Sequence, residues 1–145
     1  TFLVDNAASK DVAVGGYDAY EVSFTLKPQS EGKTKVTLCN ACGEKFSLEF
    51  DTENMTVLAD RSESGKMTRI KSFVLMPAAP LGLCNSSDGY DVDVFVDKCS
   101  VEVFVDGGRI AMTNLVFPSE SFDNIVFEST GESEISNMFI HKIGK

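Results

Sequence analysis

The sequence predicts an all-β fold: a two-sheet β-sandwich, jelly-roll-like, with about six strands per sheet. Three observations predict it. Hydrophobicity alternates with a period of two from one end of the chain to the other. Turn-forming clusters interrupt that alternation roughly every 8–12 residues, the spacing of sandwich strands. No stretch of about ten residues or more shows the 3.6-residue periodicity of a helix.

The alternating runs follow in order. Tyr20, Val22, Phe24 and Leu26 alternate with Glu21, Ser23, Thr25 and Lys27. Phe46, Leu48 and Phe50 alternate with Ser47 and Glu49. Val92, Val94 and Val96 alternate with Asp91, Asp93 and Phe95, and Val101, Val103 and Val105 continue the pattern. Between runs stand the turn signals "PQSEGK", "DTEN", "RSESGK", "NSSDGY", "VDKCS" and "DGGR". About a dozen strands result, enough for two sheets. No linker or internal repeat divides the chain, so residues 1–145 read as one domain.

Composition narrows the function. A chain of 145 residues with 43% hydrophobic and 24% charged residues can bury a proper core. A net charge of −9 argues against nucleic acid and anionic membrane as partners, because both need a basic face. No apolar run approaches the roughly 18 residues of a membrane helix, so no membrane insertion is expected. The chain opens at Thr1 without a secretion leader, which reads as a processed protein or a piece of a longer one.

The single histidine, His141, limits any Ser-His-Asp triad or histidine metal centre to one residue. Cys39 and Cys42 have CxxC spacing, but Cys84 and Cys99 do not form a second such pair. Buried or free thiols are the expectation, with no metal site and no cofactor. Asn54 in "NMT" and Asn85 in "NSS" match the glycosylation sequon, which matters only in a eukaryotic secretory pathway.

Three segments carry a family resemblance: "CGEKFSLEFDTENMTVLADRSESG" (42–65), "APLG" (79–82) and "DVDVFVDKCSVEVFVDGGRIAMTNLVFP" (91–118). Together they resemble the C-terminal β-sandwich module of glycoside hydrolase family 32, which includes invertases, levanases and inulinases. The "DRSxSG" turn from Asp60 to Gly65 and the "SVEVFV" hairpin are the specific parts.

The resemblance implies retaining hydrolysis of β-fructosidic bonds by a parent protein. It places that chemistry in an N-terminal five-bladed propeller of the same polypeptide. The propeller's motifs are a nucleophile Asp in a "WMNDPNG"-like stretch, an "RDP" stabiliser and an acid/base Glu in an "EC" pair. None occurs here, so no catalytic residue carries over to any position of this chain. The module's own task would be to stabilise the propeller, with oligomer contacts or fructan binding (levan or inulin) as further roles. Export is expected for enzymes that digest polymers, placing the protein outside the cell, in the periplasm or at the cell surface, although family invertases are also cytoplasmic.

The carboxylates supply the candidate site. Glycosidases need two, about 5–5.5 Å apart for retention or 6.5–9.5 Å for inversion. Asp91 and Asp93 stand about 7 Å apart on one strand face. A strand with one wet face produces such rows without any catalytic purpose. Glu102 shares its face with Ser100, Phe104 and Asp106, and a partly covered carboxylate needs partners. Arg61 and Arg109 are the candidates, since a guanidinium grips a carboxylate with two hydrogen bonds.

Arg61, Asp93, Glu102 and Arg109 therefore form the predicted carbohydrate-binding or interdomain cluster. Asp91, Asp93 and Asp97 could also line up on Ca²⁺, though no second loop clusters with them. Absent Trp argues against binding flat pyranose chains, whereas a fructofuranose ring would be held by hydrogen bonds from Asp, Glu and Arg. Two readings from other classes stay open: a free-standing fructan- or carbohydrate-binding module, and a structural sandwich without ligand.

Overall fold

Alternation dictates where each strand goes, because successive side chains point to opposite faces and one face must leave water. The computed structural model describes residues 1–14, 19–63, 78–80, 89–97, 100–107, 110–115 and 122–143, leaving aside the side chains of 61–63, 78–80, 114 and 115. Those residues form twelve strands and no helix. The strands are β1 (Phe2–Asp5), β2 (Lys10–Ala13), β3 (Tyr20–Pro28), β4 (Lys33–Cys39), β5 (Lys45–Asp51) and β6 (Thr56–Glu63). They continue with β7 (Ala78–Pro80), β8 (Tyr90–Val96), β9 (Ser100–Val105), β10 (Ile110–Leu115), β11 (Asn124–Ser129) and β12 (Glu132–Lys142).

Two six-stranded antiparallel sheets result, ordered β1-β12-β3-β8-β9-β10 and β2-β11-β4-β5-β6-β7. This is the two-sheet β-sandwich that the periodicity predicts. The inward rows are the apolar halves of the alternating runs. Val22, Phe24, Leu26, Val92, Val94, Val101, Val103 and Val105 come from the first sheet, and Val36, Leu38, Phe46, Leu48, Phe50, Ile125 and Phe127 from the second. Aromatic rings join the two layers. Phe24 meets Phe127 edge-on at 5.4 Å between centroids, and Phe50 lies over Tyr90 at 6.4 Å.

Polar groups inside the sandwich are bonded to one another. Tyr20 is fully buried on β3 and donates its hydroxyl to the Phe122 carbonyl at 2.7 Å, reaching the segment that enters β11. Burial, reinforced by Asp123, pushes the phenol well above its ordinary pKa, so it stays a donor. At the β11–β12 corner, Thr34 Oγ1 lies 2.6 Å from Ser133 Oγ and 3.1 Å from Ser129 Oγ. All three hydroxyls are buried and link β4 and β11 of one sheet to β12 of the other.

The same corner forces a close backbone approach. A Cβ at Gly131 would lie 2.6 Å from the Glu31 carbonyl oxygen and 2.7 Å from Ser30 Oγ. The turn between β3 and β4 therefore presses against the turn between β11 and β12.

Two bulges break the strict alternation. Lys45 pairs with Glu63 and Ser47 with Asp60, so Arg61 and Ser62 together oppose Phe46. In β12, Ser136 pairs with Thr25 and Phe139 with Ser23, leaving Asn137 and Met138 opposite Phe24. Asn137 adopts φ 53°, a left-handed conformation that asparagine tolerates better than most residues. This bulge changes the parity of the strand. Met138 and Ile140 pack on the core, while Phe139 and His141 turn outward.

Two substitutions test this account. Gly131→Ala should destabilise the fold by about 1–3 kcal/mol, because the new methyl meets backbone. Tyr20→Phe should cost about 1–3 kcal/mol by leaving the buried Phe122 carbonyl without its donor. Urea unfolding with an unchanged m-value reads both; wild-type midpoints would refute them.

Candidate functional site

The register makes the outer face of the first sheet a checkerboard. One row across its strands reads His141, Glu21, Phe95, Glu102 and Thr113; the next reads Phe139, Ser23, Asp93, Phe104 and Ala111. Asp93 and Glu102 stand diagonally on β8 and β9, with an expected separation of about 7–8 Å. The opposite diagonal holds Phe95 and Phe104, edge-to-face at 5.7 Å. Phe139 is 48% exposed beside His141, its ring centroid 6.5 Å from the imidazole. The face is thus acidic and aromatic.

Glu21 and Asp93 form a third diagonal pair, two carboxyls side by side on the same face. Desolvation, then the hydrogen bond and charge of Asp93, raise the Glu21 carboxyl above its ordinary value, with His141 pulling the other way.

The structure brings together only part of the predicted cluster. Asp93 and Glu102 share the outer face of the first sheet. Arg61 belongs to β6 of the second sheet, and its side chain lies outside the described residues, as does the whole of Arg109. Asp91 and Asp97 serve local structure. Asp91 Oδ1 accepts from Thr25 Oγ1 at 2.9 Å, and Asp97 Oδ1 accepts from the Ser100 amide at 2.8 Å. Among the described residues, no three His, Cys, Asp or Glu side chains cluster as a metal site.

Cys39 ends β4 and Cys42 sits in the following turn, neither of them in a disulfide. Cys84, Cys99 and Asn85 lie outside the described residues. Asn54 is in the turn after β5, where its amide donates to Asp51 Oδ2 at 2.8 Å. These bonds, led by the Asn54 side chain, hold the Asp51 carboxyl below its ordinary pKa.

Strand order also creates a feature that local sequence does not show. Thr37 and Ser47 point away from the core on β4 and β5, yet are only 7% and 6% exposed. They floor a groove of about 350 Å³ on the outer face of the second sheet, walled by Lys35, Lys45, Asp60 and Glu128. Val126 adds apolar surface at one side.

Among the described residues, neither face assembles a glycosidase pair. Asp60 and Glu128 are three strand spacings apart, about 14 Å, beyond either catalytic separation. Asp93 and Glu102 are closer but project from one open sheet, and a glycosidase pair must flank the bond from two sides.

Two six-stranded antiparallel sheets packed face to face, with a patterned outer face on each, define the chain as a β-sandwich module. The chain belongs to the family of glycosyl hydrolases family 32 C-terminal domains, whose model matches residues 3–142. It is 28% identical over 148 residues to a levanase of Bacillus subtilis, covering 99% of this chain and 22% of that protein. An extracellular exo-inulinase of Aspergillus niger is 30% identical over 147 residues, covering 99% of this chain and 27% of that protein. The crystal structure of exo-inulinase from Aspergillus awamori superimposes with a TM-score of 0.80 at 25% identity, covering 94% of this chain and 27% of that one. The chain thus spans about a quarter of the length of these relatives.

The Glu21–Asp93 pair has a consequence for pH. A carboxyl whose pKa is raised by folding contributes stability that is fully present below its unfolded pKa and lost as pH rises through the folded value. Glu21→Gln should therefore unfold at the same temperature as wild type near about pH 4 and at a higher one near about pH 7.5. Thermal unfolding at both pH values checks this, and parallel profiles would count against it.

Proposed function

We propose that this chain is the non-catalytic C-terminal module of a β-fructosidase that hydrolyses fructan or sucrose. Hydrolysis would be performed by an N-terminal five-bladed propeller of the same polypeptide. The observation that carries this reading is the family match over residues 3–142, joined to the absence of the family's catalytic motifs from the sequence. The relatives include a levanase and exo-inulinases, and two are named extracellular, which supports export of the parent.

The sandwich's task in this reading is to bury a face against the catalytic domain. The first sheet's outer face suits it. Phe139 at 48% exposure, Phe95 and Phe104 offer apolar area, and Asp93, Glu102 and Glu21 offer acceptors for a partner's donors. Arg61 and Arg109 remain proposed members of an interdomain or sugar contact, from the sequence pattern alone.

The test compares this chain with a polypeptide joining it to a family 32 catalytic domain. The chain alone should release no fructose from sucrose, inulin or levan, and the longer polypeptide should release it. Phe139→Asp with Glu102→Lys should lower the inactivation temperature of the longer polypeptide by more than it lowers the melting temperature of the sandwich alone. Fructose release by the sandwich alone, or equal shifts in both proteins, would overturn the proposal.

A further inference from the structure

The groove on the second sheet contrasts with the chain that carries it. The protein has a net charge of −9, yet among the described residues the groove's walls balance two lysines, Lys35 and Lys45, against two carboxylates, Asp60 and Glu128. The two central rows of the first sheet's outer face hold instead Glu21, Asp93 and Glu102 with no lysine or arginine among them. An anion would meet Asp60 and Glu128, and a cation would meet the lysines, so charge complementarity favours a neutral ligand. The lysines offer only donors, the carboxylates only acceptors, and the two hydroxyls both. Such a set matches the alternating hydroxyl groups of a sugar.

The floor adds a second observation. Thr37 Oγ1 and Ser47 Oγ face outward but are sunk below the surrounding side chains, 3.3 Å apart. That one bond leaves both hydroxyls with unused hydrogen-bonding capacity. Their Cα register row continues through Val126 on one side and Asp60 on the other, giving apolar and charged ends to one strip. Among the described residues no aromatic side chain lines the groove, so they offer a flat pyranose face no stacking platform. Its volume, about 350 Å³, lies at the small end of ligand sites, which run from about 300 to 1,000 Å³.

We propose that this groove is a binding site for fructose units of a fructan, held by the Thr37 and Ser47 hydroxyls and the opposed charges of Lys35, Lys45, Asp60 and Glu128. The choice of fructose rests on the β-fructosidase reading; the preference for a neutral, non-stacking sugar rests on the groove itself. The site lies on the sheet opposite the Asp93–Glu102 face. The two faces can therefore act at once, one toward a catalytic domain and one toward polymer.

The test is a titration of the chain with short inulin and levan oligosaccharides, followed by calorimetry and backbone amide shifts. Lys35→Ala and Glu128→Gln change exposed residues and should leave folding intact, as thermal unfolding would verify. Val126→Arg fills the groove without removing a polar partner. Saturable binding with amide shifts at Thr37 and Ser47, weakened at least about tenfold by each variant, is the expected result. No saturable binding by the folded chain would overturn the site. Binding lost in Glu102→Ala but retained in all three groove variants would move the sugar to the first sheet and overturn it equally. Equal affinity for short cellulose oligosaccharides would refute the fructose assignment. Fructose release by the longer polypeptide is measured separately, so the β-fructosidase reading stands or falls independently.

Discussion

One shared interior between two sheets, filled from both sides by every second residue, is the constraint on which everything else depends. A slip of one position in any strand would put its valines and phenylalanines in water and its acids in the core. Register is therefore strongly held in β3, β5, β8 and β9, where alternate residues are buried with little variation. The chemistry of the outer faces follows from it. Once Val94, Val96, Val101 and Val103 are inside, Asp93, Phe95, Glu102 and Phe104 have nowhere to go but outward. The acidic, aromatic character of one face and the balanced groove on the other are what remains after the core is satisfied.

Bulges are the one freedom within this constraint. At Arg61–Ser62 the second sheet gains an extra residue as β6 leaves its pairing with β5, within the "DRSxSG" segment that carries the family resemblance. At Asn137–Met138 the extra residue re-phases β12, so that one strand serves the core with Ile135 before the bulge and with Met138 and Ile140 after it. The same shift sends Phe139 and His141 to the face holding Glu21 and Asp93. A single asparagine in a left-handed conformation thus decides which aromatic residue that face presents.

Much of the architecture was legible in the sequence because period two is a local signal. The strands at Tyr20–Leu26, Phe46–Phe50, Val92–Val96 and Val101–Val105 appear where alternation places them. Phenylalanine was harder to read. Phe24, Phe46, Phe50, Phe122 and Phe127 are core, but Phe95, Phe104 and Phe139 face outward, because alternation names two faces without saying which is buried. The Asp93–Glu102 proximity was legible as a hairpin. Its approach to Glu21 and Phe139 was not, since β3 and β12 lie far away in sequence. The groove was invisible for the same reason: Glu128, Lys35, Ser47 and Asp60 meet only through the order β11-β4-β5-β6.

The position of β12 has a further meaning for how the protein is made. This strand is the last of the twelve described, yet it lies between β1 and β3, two of the earliest. Nascent β1 and β3 must therefore leave the ribosome with an unsatisfied edge and wait until the strands from β4 to β11 have been made for their common neighbour. Contacts of such long sequence separation make closure slow, and unpaired apolar edges invite pairing between molecules in the interval. The sandwich is a lock turned by the eleven residues of β12, so a break within that strand leaves an open sheet rather than a smaller domain.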